Sequence, residues 1–447
     1  MRRAIRGVLR VILRVFFPQI ELSRLDRVPS EGPVILAVNH PNGLIDPIFL
    51  LCLSPRPVSF LAKAPLFDMP VIGWFVRALG SIPVYRRQDG GFDPAKNRQT
   101  FDRARAILSG GGVIAIFPEG ASHGDPKLRP LKTGAARIAL GATPTSGTER
   151  PLTIVPLGIY YTAKRIFRSS ALLYFGEPIS VAPAQLNSDG EPPQESVRAL
   201  TDRIERALHD VTLQADEHEA LALVGRAEEM FSADDPEEEH RLVDQFQLRR
   251  RLMAGYTTLR EKAPDRLANL SGRINRFEIE LRDAGLDPKS LQPENLISGG
   301  VAALTLKGLV FLIFVVPLAL VGTVVNYPAY RLVAFIAMGL SKNDEDIIAT
   351  IKMIAGTLLF PLTWILVAVA IGIRWGTVAG LAAIVLAPLT GYAALRFFET
   401  LDELAGGTRA VLLSRFRRWG YLRLVAERSA IREEIISLGA ELERQSS

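Results

Sequence analysis

The chain has a single cysteine, Cys52, so no internal disulfide can form. It has five histidines and no Cys-His cluster at metal-ligand spacing, which removes zinc-finger-like frameworks. Charge of one sign is also scarce: 53 Lys and Arg against 47 Asp and Glu leave a formal charge of +6. The resulting pI near 9.4 suits an anionic membrane surface or nucleic acid equally well. A nucleic-acid binder would carry a basic stripe interleaved with aromatics on its soluble part, and none is present, so no nucleic-acid partner is expected. There is no internal repeat and no low-complexity tract. The N-terminus lacks the uninterrupted apolar core and small-residue cleavage site of a signal peptide.

Long apolar runs, by contrast, are present. Gly308 to Val325, Met353 to Ile373 and Gly376 to Leu395 are uncharged and each long enough to cross a bilayer. Arg374-Trp375-Gly376 leaves room only for a tight hairpin between the second and third. The tail, 396–447, carries Arg396, Arg409, Arg415, Arg417, Arg418 and Arg423, which the positive-inside rule assigns to the cytoplasm. At the other end, Arg2, Arg6, Arg10 and Arg14 recur among Ile5, Val8, Leu9, Val11, Ile12, Leu13, Val15 and Phe16. That spacing predicts a basic amphipathic helix over 1–20, lying on a membrane.

Between these parts, residues 191–295 are charged and helical in pattern. Leu200, Ile204, Leu208 and Val211 share one face, with Arg203, Glu205 and Arg206 around them. A helical pair or short coiled coil is expected, able to dock on the rest of the chain, bind a partner or make a homodimer. A solvated helical spacer is the plainer alternative. Asn187 to Pro193 is the expected linker before it, and 296–395 is the membrane-embedded part.

The first part, 21–190, alternates apolar strands with helical stretches. Val34–Val38, Val58–Leu61, Ile82–Tyr85, Val113–Phe117, Ile154–Ile159 and Leu172–Phe175 read as strands; Pro94 to Leu108 and Thr133 to Leu140 read as helices. The expected fold class is α/β, a mostly parallel sheet flanked by helices, followed by a helical region and C-terminal transmembrane helices.

Chemistry-bearing residues fall just after these strands, where α/β sheets place their sites. Asn39-His40-Pro41-Asn42-Gly43-Leu44-Ile45-Asp46 supplies a base and a carboxylate to orient it. A loop histidine beside a turn aspartate is the plainer alternative. Gly80-Ser81-Ile82-Pro83-Val84-Tyr85-Arg86-Arg87, Phe117-Pro118-Glu119-Gly120 and Ile154-Val155-Pro156-Leu157 follow in that order.

The four motifs in series resemble the PlsC-like glycerophospholipid acyltransferase family, over about residues 20–190. The resemblance implies the glycerolipid acyltransferase fold and acyl transfer to glycerol 3-phosphate, lysophosphatidate or a related lysolipid. It implies His40 as general base and Asp46 as its partner. Arg86 would bind the acceptor phosphate and Glu119 would orient the acceptor, with Gly120, Ser122 and Lys132 beside them. Asn39, Pro118 and Pro156 would support the site, the prolines by shaping turns and strand ends. Backbone N–H groups near Gly43 or Gly120-Ala121 are candidate oxyanion donors.

Two features depart from the family pattern. Five residues separate His40 from Asp46, as in a subgroup that includes fungal-type glycerol-phosphate acyltransferases. Ser122 stands where the family usually has an arginine, and Lys132 or Arg137 is the candidate replacement cation. His123, in Ser122-His123-Gly124-Asp125-Pro126, is expected to be exposed. No metal and no cofactor is expected, acyl-CoA or acyl-carrier protein being a co-substrate. A metal held by His40, Asp46 and Glu119 is the formal alternative for those residues.

The expected setting is the cytoplasmic face of a bacterial-type inner membrane, with the lipid bilayer as partner. Three full spans would put tail and active site on opposite faces. Leu304 to Leu340 is therefore expected to be a re-entrant hairpin turning at Asn326-Tyr327-Pro328. An inactive lipid-binding scaffold of the same fold is the alternative to an enzyme.

Overall fold

The computed structural model describes all residues except 1, 70–72, 75, 78–79, 86–93, 143–150, 164–165, 183, 189, 233–240, 287–290, 292–314, 342–344, 417 and 447. The chain divides into two compact units: residues 1–214 with 341–353, and residues 215–340 with 354–447.

The first unit is built on a sheet of eight strands. They are β1 (Ile20–Ser23), β2 (Val34–Val38), β3 (Val58–Lys63), β4 (Ile82–Val84), β5 (Val113–Ile116), β6 (Leu152–Tyr161), β7 (Ala171–Phe175) and β8 (Ile179–Val181). The order is β1-β7-β6-β2-β5-β3-β4, with β8 also on β6. β2 through β6 run parallel, while β7 and β8 lie antiparallel to β6 and β1 follows β7. All five residues of β2 are buried, as befits a central strand covered on both faces.

Pro156 sits inside β6, a central strand, where a missing N–H would normally break the ladder. The partner strand is itself interrupted there: β7 pairs up to Leu157 and β8 resumes at Ile154. Gly176 N–H donates to Pro156 O across the gap at 2.8 Å. N and O of one strand residue point the same way, so the proline ring faces the one place that needs no donor. Nearby Gly158 is indispensable, since a Cβ there would lie 1.8 Å from Val211 O.

The helices of this unit are α1 (Arg2–Phe16), α2 (Ile45–Leu53), the short α3 (Pro65–Asp68), α4 (Pro94–Ser109), α5 (Gly134–Ala142) and α6 (Gln194–His209). Val197, Leu200, Ile204 and Leu208 of α6 are buried. That face packs on the sheet unit, so the Asn187–Pro193 segment falls within the unit, and the boundary comes after Gln214. The faces of α1 also differ from the sequence reading. Arg10 donates to Cys52 O at 2.9 and 3.0 Å, and Arg6 to Ser54 O at 3.4 Å. These arginines serve the carbonyls at the end of α2, groups that a helix leaves unbonded.

The second unit is helical: α7 (His218–Ser232), α8 (Leu242–Lys262), α9 (Pro264–Ala284), α10 (Val316–Ser341), α11 (Glu345–Trp375), α12 (Thr377–Phe416) and α13 (Arg418–Ser446). The first turns of α11, through Met353, belong to the first unit. The apolar stripes of α7, α8 and α9 close on one another and on α13, with Met230, Leu259, Ile274, Phe277, Tyr421 and Ile431 in one cluster. Val316–Leu340, Ile348–Trp375 and Thr377–Leu401 are long and apolar enough to cross a membrane.

The expected turn at Asn326-Tyr327-Pro328 is not formed. Val316–Ser341 is one continuous helix with Pro328 inside it. Asn326 Nδ2 donates to Gly322 O at 2.8 Å, and Trp364 Nε1 donates to Asn326 Oδ1 at 2.7 Å. The polar residue read as a turn former is thus a link between α10 and α11. Neighbouring helices let membrane segments keep an internal proline. Residues 308–314 of the first run lie outside the described residues.

Candidate active site

Because β2, β5 and β6 are adjacent and parallel, the loops at their carboxyl ends meet. His40 follows β2, Glu119 and His123 follow β5, and Tyr161 ends β6.

His40 Nδ1 lies 2.8 Å from Asp46 Oδ2. Asp46 is fully buried. It accepts two further bonds: from Asn42 N–H at 2.8 Å on Oδ2 and from Tyr161 O–H at 2.5 Å on Oδ1. A buried carboxylate needs this many donors to stay charged without water. Burial, then the Asp46 charge, pushes the Tyr161 hydroxyl well above the ordinary tyrosine range, so it remains a donor. With its Nδ1–H committed to Asp46, the neutral imidazole presents Nε2 as an acceptor. The ring stacks on Phe117, centroids 4.0 Å apart and planes at 20°. Its side chain is 16% exposed, enough for a substrate to reach.

A second histidine–carboxylate pair stands behind the first. Glu119 Oε2 takes the bond from His123 Nε2 and one from Arg129 N–H at 2.9 Å, while Oε1 takes His40 N–H at 3.1 Å. His123 N–H in turn donates to His40 O at 3.2 Å, so the two loops are stitched backbone to backbone. The Glu119 side chain is 1% exposed. It braces the loops. His123, expected at the surface, is buried for the same reason: Glu119 gives it a partner, and Asp125 N–H donates to its Nδ1 at 3.3 Å.

Asn39 closes the gap between β2 and β6, its amide bonding Ile159 N and O at 2.7 and 3.1 Å. Pro118 O accepts Lys132 N–H at 2.7 Å, which lays Lys132 against the Glu119-Gly120 turn. Gly120 has φ +81, a conformation that favours glycine, and a Cβ there would lie 3.4 Å from Lys132 Cγ. Its N–H is spent on Phe117 O at 3.0 Å and is not an oxyanion donor. Ser122 is half-buried in the same loop and Lys132 is exposed. Arg137 points elsewhere, 3.7 Å from Glu191. Of these two candidate cations, Lys132 is the one beside the turn. Arg86 lies outside the described residues, two positions past the end of β4.

Residues 19–160 match the Acyltransferase family model, and residues 234–445 match that of the glycerol-3-phosphate acyltransferase 2 C-terminal domain. The chain thus joins an acyltransferase domain to a domain of the glycerol-3-phosphate acyltransferase 2 C-terminal type. Glycerol-3-phosphate O-acyltransferase 2 of Saccharomyces cerevisiae is 28% identical over 285 residues, which is 60% of this chain and 37% of that one. Glycerol-3-phosphate O-acyltransferase 1 of the same yeast is 26% identical over 461 residues, 79% of this chain and 59% of that one. The chain thus spans about half the length of these relatives. The crystal structure of the 1-acyl-sn-glycerophosphate acyltransferase PlsC from Thermotoga maritima aligns with a TM-score of 0.34 at 18% identity, over 47% of this chain and 80% of that one.

One more contact joins the His40 loop to a distant stretch of sequence. Leu44 N–H donates to Thr350 Oγ1 of α11 at 3.2 Å. Ala349 and Met353, on the same turns, pack on the core cluster that contains Leu9, Leu13, Phe49 and Cys52. The helix that carries Asp46 is therefore held near its N-terminus by α11 and at its C-terminus by Arg6 and Arg10.

Proposed function

We propose that the protein moves a fatty acyl group from acyl-CoA or acyl-carrier protein to a hydroxyl of glycerol 3-phosphate or lysophosphatidate, with His40 as general base. The observation that carries this reading is the His40 geometry: Nδ1 tied to Asp46, the ring braced by Phe117 and the side chain partly exposed. Nε2 takes the hydroxyl proton as the oxygen bonds to the thioester carbonyl carbon. The tetrahedral intermediate collapses by breaking the C–S bond, and the departing thiolate takes the proton back from the imidazolium. Asp46 stabilises that imidazolium, as the aspartate does in a Ser-His-Asp triad, with the substrate hydroxyl as nucleophile. Lys132, beside the Glu119-Gly120 turn, and Arg86 are the cations we assign to the acceptor phosphate.

The relatives' names make glycerol 3-phosphate the first acceptor to test. In this reading α10, α11 and α12 lie in a bacterial-type inner membrane. The site faces the cytoplasm, where both acyl donors are made.

Acyl transfer by the purified full chain, with labelled palmitoyl-CoA or palmitoyl-acyl-carrier protein and a panel of glycerol 3-phosphate, lysophosphatidate and lysophosphatidylethanolamine, tests the proposal beside His40→Ala. Turnover of one acceptor should fall by roughly 100- to 10,000-fold in the variant, the usual worth of a general base. Turnover that survives His40→Ala would remove the base, and no turnover from either donor class would favour the inactive scaffold.

A further inference from the structure

An apolar rim runs along the outside of the first unit. On α1, Leu9 and Leu13 are buried while Val8, Val11 and Val15 are 60%, 64% and 47% exposed. Their spacing puts the three on one stripe of the helix. Where α1 ends, the turn between β6 and β7 adds Ile166 and Phe167, 66% and 38% exposed.

This turn is held in place. Arg168 adopts φ +66, uncommon for a residue other than glycine. Its N–H donates to Phe16 O at 2.9 Å, and Ile166 N–H donates to Ala163 O at 3.0 Å. The Phe167 ring meets Phe16 edge to face at 4.9 Å. The outcome is two large apolar side chains fixed outward beside the α1 stripe.

We propose that the Val8-Val11-Val15 stripe and the Ile166-Phe167 turn enter the headgroup–acyl boundary of an anionic bilayer together. The charge around both segments favours lipid. Residues 1–20 contain five arginines and no acid, and residues 162–170 contain Lys164, Arg165 and Arg168 and no acid. Cations flanking exposed apolar residues match the interface of a membrane bearing anionic headgroups. Continuity favours it as well. The candidate span Ile348–Trp375 starts inside this unit, where Met353 packs in the cluster that holds Leu9, Leu13 and Phe17. A span that starts in that cluster ties the unit to a bilayer by chain continuity. The proposal rests on α11 spanning a membrane.

Site-directed spin labels on the full chain test it without needing turnover. Cys52 is buried, and burial pushes its thiol up to about 11, so it takes no maleimide label at neutral pH. Ile166→Cys and Val11→Cys are labelled in vesicles of phosphatidylcholine and phosphatidylglycerol. Leu366→Cys, at a position 61% exposed on α11, reports the bilayer, and Arg203→Cys, on the exposed side of α6, reports water.

Collision with oxygen relative to a nickel chelate should match Leu366 at both test positions and exceed Arg203 several-fold. Omitting phosphatidylglycerol should lower the ratio at Ile166 and leave Leu366 unchanged. Nickel access at Ile166 and Val11 equal to that at Arg203 would overturn the inference while leaving the span intact. Dipolar broadening between labels would overturn it in favour of a second copy of the chain. A water-like Leu366 would sink the membrane reading and this inference with it.

Discussion

The charges beside the proposed base and those linking α9 to α13 are held in opposite ways. In the sheet unit, the Asp46 and Glu119 side chains are 0% and 1% exposed, and each is surrounded by donors from several loops. In the helical unit, Arg273 bonds Glu427 and Glu434, Arg266 bonds Glu441 and Arg423 bonds Glu280. Those groups stand on helix surfaces, half-exposed or more in several cases. Removing a partner in the first unit strands a charge away from water. Removing one in the second lets water take its place. The buried arrangement is the one that sets geometry, and it surrounds the proposed base.

Asp46→Asn should break that contrast most sharply. Three donors converge on Asp46, so the new amide N–H₂ must face one of them, and His40 loses its fixed tautomer. Turnover should drop by about 1,000- to 10,000-fold, as in triads treated the same way, measured beside a melting curve. Glu119→Gln comes next. It meets three donors too, but through the backbone of His40, so activity and stability should fall together, by about 1–3 kcal/mol in stability. Equal activity in Glu119→Gln and wild type would show that the two histidine–carboxylate pairs are independent.

Thr350→Val removes the acceptor for Leu44 N–H, a single hydrogen bond worth about 0.5–1.5 kcal/mol, so turnover should fall roughly 2- to 10-fold with KM nearly unchanged. Thr350→Ser should restore it; a serine variant as slow as valine would mean that packing, not the hydrogen bond, matters. Arg273→Ala should cost the helical unit less than about 1 kcal/mol by chemical denaturation, because its pairs are solvated. The smallest effect belongs to Cys52. Its thiol pKa is raised from 9.0 to about 11 by burial, against partial relief from Arg10 and Arg6. The native state therefore holds its proton more tightly than the unfolded chain. Stability present below pH 9 is lost as pH rises toward 11, and Cys52→Ser should flatten that alkaline loss.

How far the same contrast was readable from residues follows from burial. The central strands declared themselves because parallel strands covered on both faces are continuous apolar runs, as in Val34–Val38. β1 and β8 were missed: Ile20–Ser23 and Ile179–Val181 are short and only partly apolar. His40, Asp46, Glu119 and Lys132 came from motif order, and the structure brings them to one end of the sheet. His123 was misread because Gly-Asp-Pro neighbours speak for an exposed loop, whereas its partner Glu119 is buried. Tyr161 gave no signal beyond ending a strand. Thr350 gave none either, since its partner lies |i−j| = 306 away. On the membrane side, length and composition found the runs, but Asn-Tyr-Pro was weighed as turn chemistry without the Trp364 that satisfies it.

The first unit is discontinuous: residues 341–353 complete a body otherwise made from residues 1–214. A ribosome delivers the chain in order, so the sheet is finished long before the turn that carries Thr350 and Met353 exists. Until then Leu44 N–H has no acceptor and the α1–α2 cluster lacks a wall. Maturation of the His40 loop must wait for α10 to be synthesised, which ties readiness for catalysis to the birth of the apolar helices. A fragment ending at Gln214 would for the same reason leave the His40 loop without that support, whatever the quality of its sheet.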